Sequence, residues 1–260
     1  MCDKMYVELK KVEFIYIILM SKKYLIFGAT GSIGSSLANQ MYDEKQECHL
    51  IGRNEGELKE IAIKLSYSFS VCDVLKLNFA DKLFKDLIET EILGIAYCVG
   101  SIDLKPLRTT RAKDFVSSYV LNLVAATDII RTFQDNLKRN NGSIVMFSTV
   151  AAKKGFPNHS IISPAKAAVE GLTVALAAEL APHTRVNCIA PSLTDSKMSQ
   201  KMVSNETIRK AIEKMHPIPK IGQGNDFGDL SSFLLSKKNS WITGQIFHID
   251  GGRSTLRIKA

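Results

Sequence analysis

Three glycines, Gly28, Gly31 and Gly34, follow the apolar run YLIF (24–27) and open a stretch of helical periodicity. Glycine lets a backbone turn tightly and approach a bulky anion, and the free N–H groups and positive end of a helix favour negative charge there. With Thr30, Ser32 and Ile33 between them, the glycines form a candidate cradle for a pyrophosphate. The spacing is not G-x-G-x-x-G, so taken alone the segment is equally an ordinary tight strand-to-helix turn. A second group follows the next apolar run. After ECHLIG (47–52) comes Arg53, where an acidic residue would hold both hydroxyls of an NAD ribose. A guanidinium suits a 2′-phosphate instead, with charge-assisted hydrogen bonds worth roughly 1.5 to 3 kcal/mol each. Together the signals favour NADP(H) over NAD(H); the alternative for Arg53 is a surface arginine at a helix start.

These groups must be positioned by the elements around them. From Lys23 onward, short apolar runs alternate with helical patterns, which is the signature of βαβ units. Strands are expected at 24–29, 47–52, 67–72, 94–100, 142–148, 184–190 and 244–250, and helices at 33–43, 55–65, 79–89, 113–139, 164–181, 205–215 and 226–236. YLIF, IVMF and IAYCV are apolar throughout, as strands covered by helices on both faces must be. The expectation is one α/β domain over residues 20–260, a Rossmann-type, doubly wound parallel sheet of seven strands. Ligands of such sheets bind beyond the strands' carboxyl ends, where the winding order reverses.

Other function classes are disfavoured. The five cysteines lie scattered, never as CxxC or beside paired histidines, so neither a metal site nor a disulfide framework is expected. They read as small buried hydrophobes in a reducing, cytoplasmic setting. The net charge of +8 is dispersed rather than gathered into runs, which argues for a solvated lysine-rich surface over nucleic-acid binding. The apolar run from Phe14 to Met20 is too short to span a membrane, and Asp3, Glu8 and Glu13 before it are unlike a signal peptide. Residues 1–19 read as an extension outside the fold, with Met20 an alternative start.

The ordered motifs from Lys23 to Gly252 resemble the short-chain dehydrogenase/reductase family. The glycine turn is similar to TGxxxGxG, with Phe27 for the threonine and Ser32 for the middle glycine. Asp73 and Val74 look like its adenine-contacting pair, and Val99 and Gly100 match the end of NNAG, whose asparagines are here Tyr97 and Cys98. Asn122 matches the helix asparagine that supports a proton-relay water. RVNCIAPSLTDSKM resembles RVNxIxPGxxxTxM, with Ser192 for the glycine and Ser196 for the threonine that helps hold the nicotinamide amide; Thr194 between them is a further cofactor-binding candidate. WITGQIFHIDGG is close to the C-terminal signature.

The resemblance implies an oxidoreductase acting on a small carbonyl or alcohol, assembled as a homo-oligomer, dimer or tetramer, through the long fourth helix, the helix after Lys166 and the final strand. It gives Lys166 the ribose, and Thr149, thirteen residues before position 162, the substrate oxygen. Position 162, where the family has its proton-transferring tyrosine, is isoleucine. Isoleucine cannot titrate. His159 is a candidate surrogate acid, since a histidine side chain can carry out acid–base chemistry and it stands three residues earlier; its alternative is a loop histidine bordering the pocket. Ser163 and Pro164 read locally as N-cap and first helical residue, which would leave Ile162 in a loop. Residues 192–220, with Met198, Met202, Ile212, Met215 and Ile218, suit an apolar lid or plain helix packing, and their lysines and arginines favour an anionic substrate. The rival to the enzyme is a non-catalytic NADP(H)-binding partner subunit or sensor.

Overall fold

Parallel strands with no polar face must be sandwiched between helices, and that is the arrangement found. The structure, a computed structural model, describes residues 21–257; the extension expected at 1–19 lies outside them. The strands are β1 (Ser21–Phe27), β2 (Cys48–Gly52), β3 (Ser68–Val71), β4 (Thr90–Tyr97), β5 (Ser143–Phe147), β6 (Arg185–Pro191) and β7 (Ile246–Ile249). They form one parallel sheet in the order β3-β2-β1-β4-β5-β6-β7. The winding reverses between β1 and β4, so a crevice opens at the carboxyl ends of those two strands.

The helices are α1 (Ser32–Asp43), α2 (Glu55–Leu65), α3 (Phe79–Asp86), α4 (Ala112–Tyr119), α5 (Ala125–Arg139), α6 (Ile162–Leu180), α7 (Gln200–Val203), α8 (Glu206–Glu213) and α9 (Gly224–Leu235). The long helix expected at 113–139 is interrupted by a π-helical turn at Val120–Val124. Such turns are rare and gather at functional sites. Two cores result, one per sheet face: Ile129, Phe133 and Leu137 of α5 pack with Ile95 and Ile144, and Leu37, Met41, Phe227 and Leu234 of α1 and α9 pack with Ile26 and Leu50. No described helix is long and apolar enough to cross a membrane.

The four cysteines of the described residues are free thiols, but only Cys48 and Cys188 are fully buried. Cys72 and Cys98 are partly exposed because they sit at strand ends, where the helices no longer cover the sheet.

His49 of β2 is buried between two serines, its ring nitrogens 2.8 Å from Ser68 Oγ and 2.8 Å from Ser70 Oγ. Burial, reinforced by the Lys23 ammonium, pushes its pKa down to about 4. The folded state therefore resists the proton that an unfolded histidine accepts near pH 6.5. Stability is fully present above about pH 6.5 and falls by roughly 3 kcal/mol as the pH drops to about 4, at 1.36 kcal/mol per unit. Urea midpoints at pH 7.5 and 4.5 should show this loss, and a His49→Gln variant should lose markedly less; equal slopes would contradict the assignment.

Candidate active site

The site is built where β1 and β4 end. The chain leaves β1 through Gly28 at φ +74°, a conformation side chains rarely adopt. Gly31 N–H donates to Gly28 O at 3.0 Å, closing the turn, and α1 begins directly beneath it. A Cβ on Gly34 would collide with the Gly28 carbonyl oxygen, so this position admits only glycine. Gly31 is the N-cap and no side chain caps the helix. The first-turn N–H groups of Ser32, Ile33 and Gly34 thus lack intrahelical partners. All four residues line a cavity of about 330 Å³. Free donors without intervening side chains fit a pyrophosphate.

Val99 and Gly100 form the facing wall. A Cβ on Gly100 would lie 3.2 Å from Asn122 Oδ1 and 3.3 Å from Lys166 Nζ, which brings both polar atoms to one small space. Asn122 sits in the π-helical turn, its Nδ2 donating to Ser118 O at 2.8 Å. Its Oδ1 is buried without a partner among the described residues. An orphan acceptor beside an ammonium group is a place for a hydroxyl or water. Lys166 is 7% exposed and donates to Phe147 O at 2.8 Å. Burial lowers its pKa to about 8, although neighbouring Cys188 and Cys98 act the other way. Two of its three N–H donors remain for a ligand.

Thr149 caps the short 3₁₀ turn Val150–Ala152 by accepting from Ala151 N–H at 3.3 Å. Its own proton remains free to donate into the cavity that it lines. Adjacent Ser148 is committed, donating to Glu170 Oε1 at 2.9 Å. Ile162 is the first residue of α6, 5% exposed, and lines the cavity one turn before Lys166. The local Ser163-Pro164 signal thus misplaces the helix start. Proline is tolerated at the third helical position, within the first turn of the helix. Ser163 N–H donates to His159 O at 2.9 Å and anchors the preceding turn.

A family model described as enoyl-(acyl carrier protein) reductase matches residues 28–254, which spans the cradle, Thr149 and Lys166. The chain belongs to the short-chain dehydrogenase/reductase family. Among its relatives in that family, the 3-oxoacyl-[acyl-carrier-protein] reductase FabG of Rickettsia bellii is 30% identical over 239 residues, covering 90% of this chain and 97% of its own. A tropinone reductase homologue of Arabidopsis thaliana is 28% identical over 244 residues, covering 90% of each chain. The solved structure described as ElxO with NADP bound is 25% identical with a TM-score of 0.84, covering 91% of this chain and 100% of its own.

Within this short-chain dehydrogenase/reductase the cavity also receives Val99, Gly100, His159, Thr194 and Ser196. His159 Nδ1–H donates to Pro157 O at 2.7 Å, which leaves Nε2 uncommitted. Gly28 and Thr30 shape the turn without lining the cavity, and Asn122 lies behind Gly100. Arg53, Asp73 and Val74 stand past the ends of β2 and β3, outside the cavity wall. Arg53 is exposed, without an ion-pair partner among the described residues. Asp73 Oδ1 accepts from Leu75 N–H at 3.1 Å, and Val74 is buried in the core. No cluster of metal-ligating side chains occurs among the described residues.

Of the lid candidates, Met198, Met202 and Ile212 line the cavity, whereas Met215 and Ile218 are exposed. The basic character of 192–220 does not carry the anionic-substrate argument. Lys197 pairs with Glu57 at 2.7 Å, Arg209 with Asp195 at 2.9 Å, Lys210 with Glu206 at 3.5 Å and Lys220 with Asp226 at 2.6 Å. Their charge is largely neutralised at the surface. The cavity wall instead holds Arg253, which sequence reasoning passed over, and Ser192, whose hydroxyl is hydrogen-bonded to the buried His216. Only an arginine after the glycine pair of the tail hinted at it, and nothing local shows where that tail turns.

Proposed function

We propose that this short-chain dehydrogenase/reductase is an NADP(H)-dependent oxidoreductase acting on a carbonyl or alcohol. The observation that carries the reading is one cavity joining the bare α1 cradle to the hydroxyl of Thr149 and the ammonium of Lys166. The N–H groups of Ser32, Ile33 and Gly34 hold the pyrophosphate, Arg53 the 2′-phosphate, Asp73 and Val74 the adenine. Val99, Gly100 and Lys166 take the nicotinamide ribose, and Thr194 and Ser196 the carboxamide. The bound cofactor supplies or accepts the hydride. Thr149 donates a hydrogen bond to the substrate oxygen and so stabilises charge that develops there. With isoleucine at 162, the exchanged proton comes from water near Lys166 and Asn122 or from His159. The same reading gives a cytoplasmic homo-oligomer, dimer or tetramer, joined in part through α4, the π-helical turn that follows it and α6, which expose Val116, Val124 and Val174.

The test is purified protein with NADPH and a panel of ketones and aldehydes, with loss of NADPH absorbance reporting turnover and its fluorescence reporting binding. Turnover is expected. Tight binding with no turnover on any substrate would favour the non-catalytic partner or sensor, for which Ile162 is the supporting feature. No binding of either pyridine coenzyme would overturn both.

Arg53→Asp is expected to shift the ratio of NADPH to NADH affinity toward NADH by about 10- to 100-fold, the worth of one or two charge-assisted hydrogen bonds. Titrating both coenzymes into parent and variant checks this. An unchanged ratio would remove Arg53 from the phosphate site.

A further inference from the structure

The tail after β7 turns sharply at Gly251 and Gly252, whose φ values of +60° and +84° suit glycine. Asp250 braces the turn by accepting from Gly252 N–H at 2.9 Å and Ser254 N–H at 2.9 Å. Both carboxylate oxygens are thereby occupied, and Arg253 is swung over the Phe156 ring with its guanidinium carbon 4.8 Å from the centroid. His216 fixes the position further. Its Nδ1–H donates to Ile212 O at 2.9 Å, so Nε2 accepts the proton of Ser192 Oγ at 2.8 Å. The Ser192 oxygen then accepts from Arg253 Nη1 at 3.3 Å.

Arg253 Nη2 lies 3.5 Å from Met215 Sδ. With one N–H given to Ser192 and one toward Met215, three of the five guanidinium N–H groups have no partner among the described residues. No Asp or Glu lines the cavity, and the other cation in its wall, Lys166, lies on the cofactor side. Arg253 is thus a half-buried cation in the cavity wall with no ion-pair partner among the described residues, attracted only from behind by the Asp250 carboxylate, and it shares that wall with Leu193, Met198, Met202, Ile212 and Ile162.

We propose that Arg253 is the specificity-determining residue of this site, binding the carboxylate of a substrate whose carbonyl is carried on an apolar oxo-acid chain. This inference rests on the oxidoreductase reading for its reaction but not for its binding. The planar fork matches a carboxylate, and the phenyl ring beneath keeps the fork from rotating away.

The experiment has two arms. In the first, NADPH-dependent reduction of medium-chain oxo acids is compared with that of their methyl esters. The acids are expected to have kcat/KM about 10- to 100-fold higher, from one or two charge-assisted bonds. Arg253→Met should raise KM for the acids by a similar factor, leave kcat nearly unchanged and leave the esters unaffected, while Arg253→Lys should restore part of the loss. Acid and ester moving together would overturn the proposal.

In the second arm, calorimetry of octanoate and methyl octanoate is run on parent and Arg253→Met without turnover. Selective loss of octanoate binding in a variant with parental thermal unfolding supports the carboxylate site. Equal binding of octanoate to both proteins would overturn it. Carboxylate binding without any reduction would leave the subsite standing and reject the oxidoreductase reading instead.

Discussion

Ile162→Tyr is expected to raise turnover by about 100- to 10,000-fold, the usual contribution of a positioned general acid or base. Ile162 faces the cavity from the first position of α6, and Lys166 follows one helical turn later on the same face. A phenol at that point would share the cavity with the Lys166 ammonium, whose charge lowers the pKa of a neighbouring hydroxyl. Thr149 then supplies the second hydrogen bond to the substrate oxygen. The larger ring enters a cavity rather than a filled core, so overpacking should be slight. Steady-state rates of parent and variant with the best substrate of the panel decide it. A folded variant with parental turnover would show that the proton path does not run through this position.

Lys166→Met is expected to reduce turnover by about 100-fold or more while making the protein more stable at neutral pH. The stability effect follows from burial. With a folded pKa of about 8 against 10.5 for an ordinary lysine, the native state holds the proton at a disadvantage below pH 8. That disadvantage is roughly 3 kcal/mol at pH 7 and fades as the pH rises from about 8 toward about 10.5, at 1.36 kcal/mol per unit. Phe147 O loses its partner in the variant, which returns about 1 to 2 kcal/mol. The net is a gain of about 1 to 2 kcal/mol at pH 7 that vanishes or reverses near pH 10. Urea unfolding at the two pH values tests the sign. A variant less stable than the parent at pH 7 would mean that the lysine is held for the fold rather than for its chemistry.

Much of the architecture was legible because it is written in local pattern. All seven strands fall on the apolar runs that mark them, with ends differing by a few residues; β4 starts four residues early at Thr90, where Asn136 Oδ1 accepts from Ile92 N–H at 2.7 Å and Asn136 Nδ2 donates to Thr90 O at 3.0 Å. That extension depends on a partner 44 to 46 residues away, which no window along the chain contains. The π-helical turn at Val120–Val124 was likewise invisible, since its residues have ordinary helical character and only packing near Gly100 and α6 distinguishes them. The glycine cradle was readable for the opposite reason: a turn and the helix beneath it involve residues within seven positions of each other.

The sequence by itself determined the α/β class, the place of the glycine turn between β1 and α1 and the residue types at Thr149, Ile162 and Lys166, because strand, turn and helix formation depend on neighbours along the chain. Tertiary structure alone decided that Ile162 faces the cavity, that Lys197 pairs with a carboxylate 140 residues away, and that Arg253 reaches a serine 61 residues before it. Charge and hydrogen bonding act through space, so which side chain is left unpaired is settled only when distant segments meet.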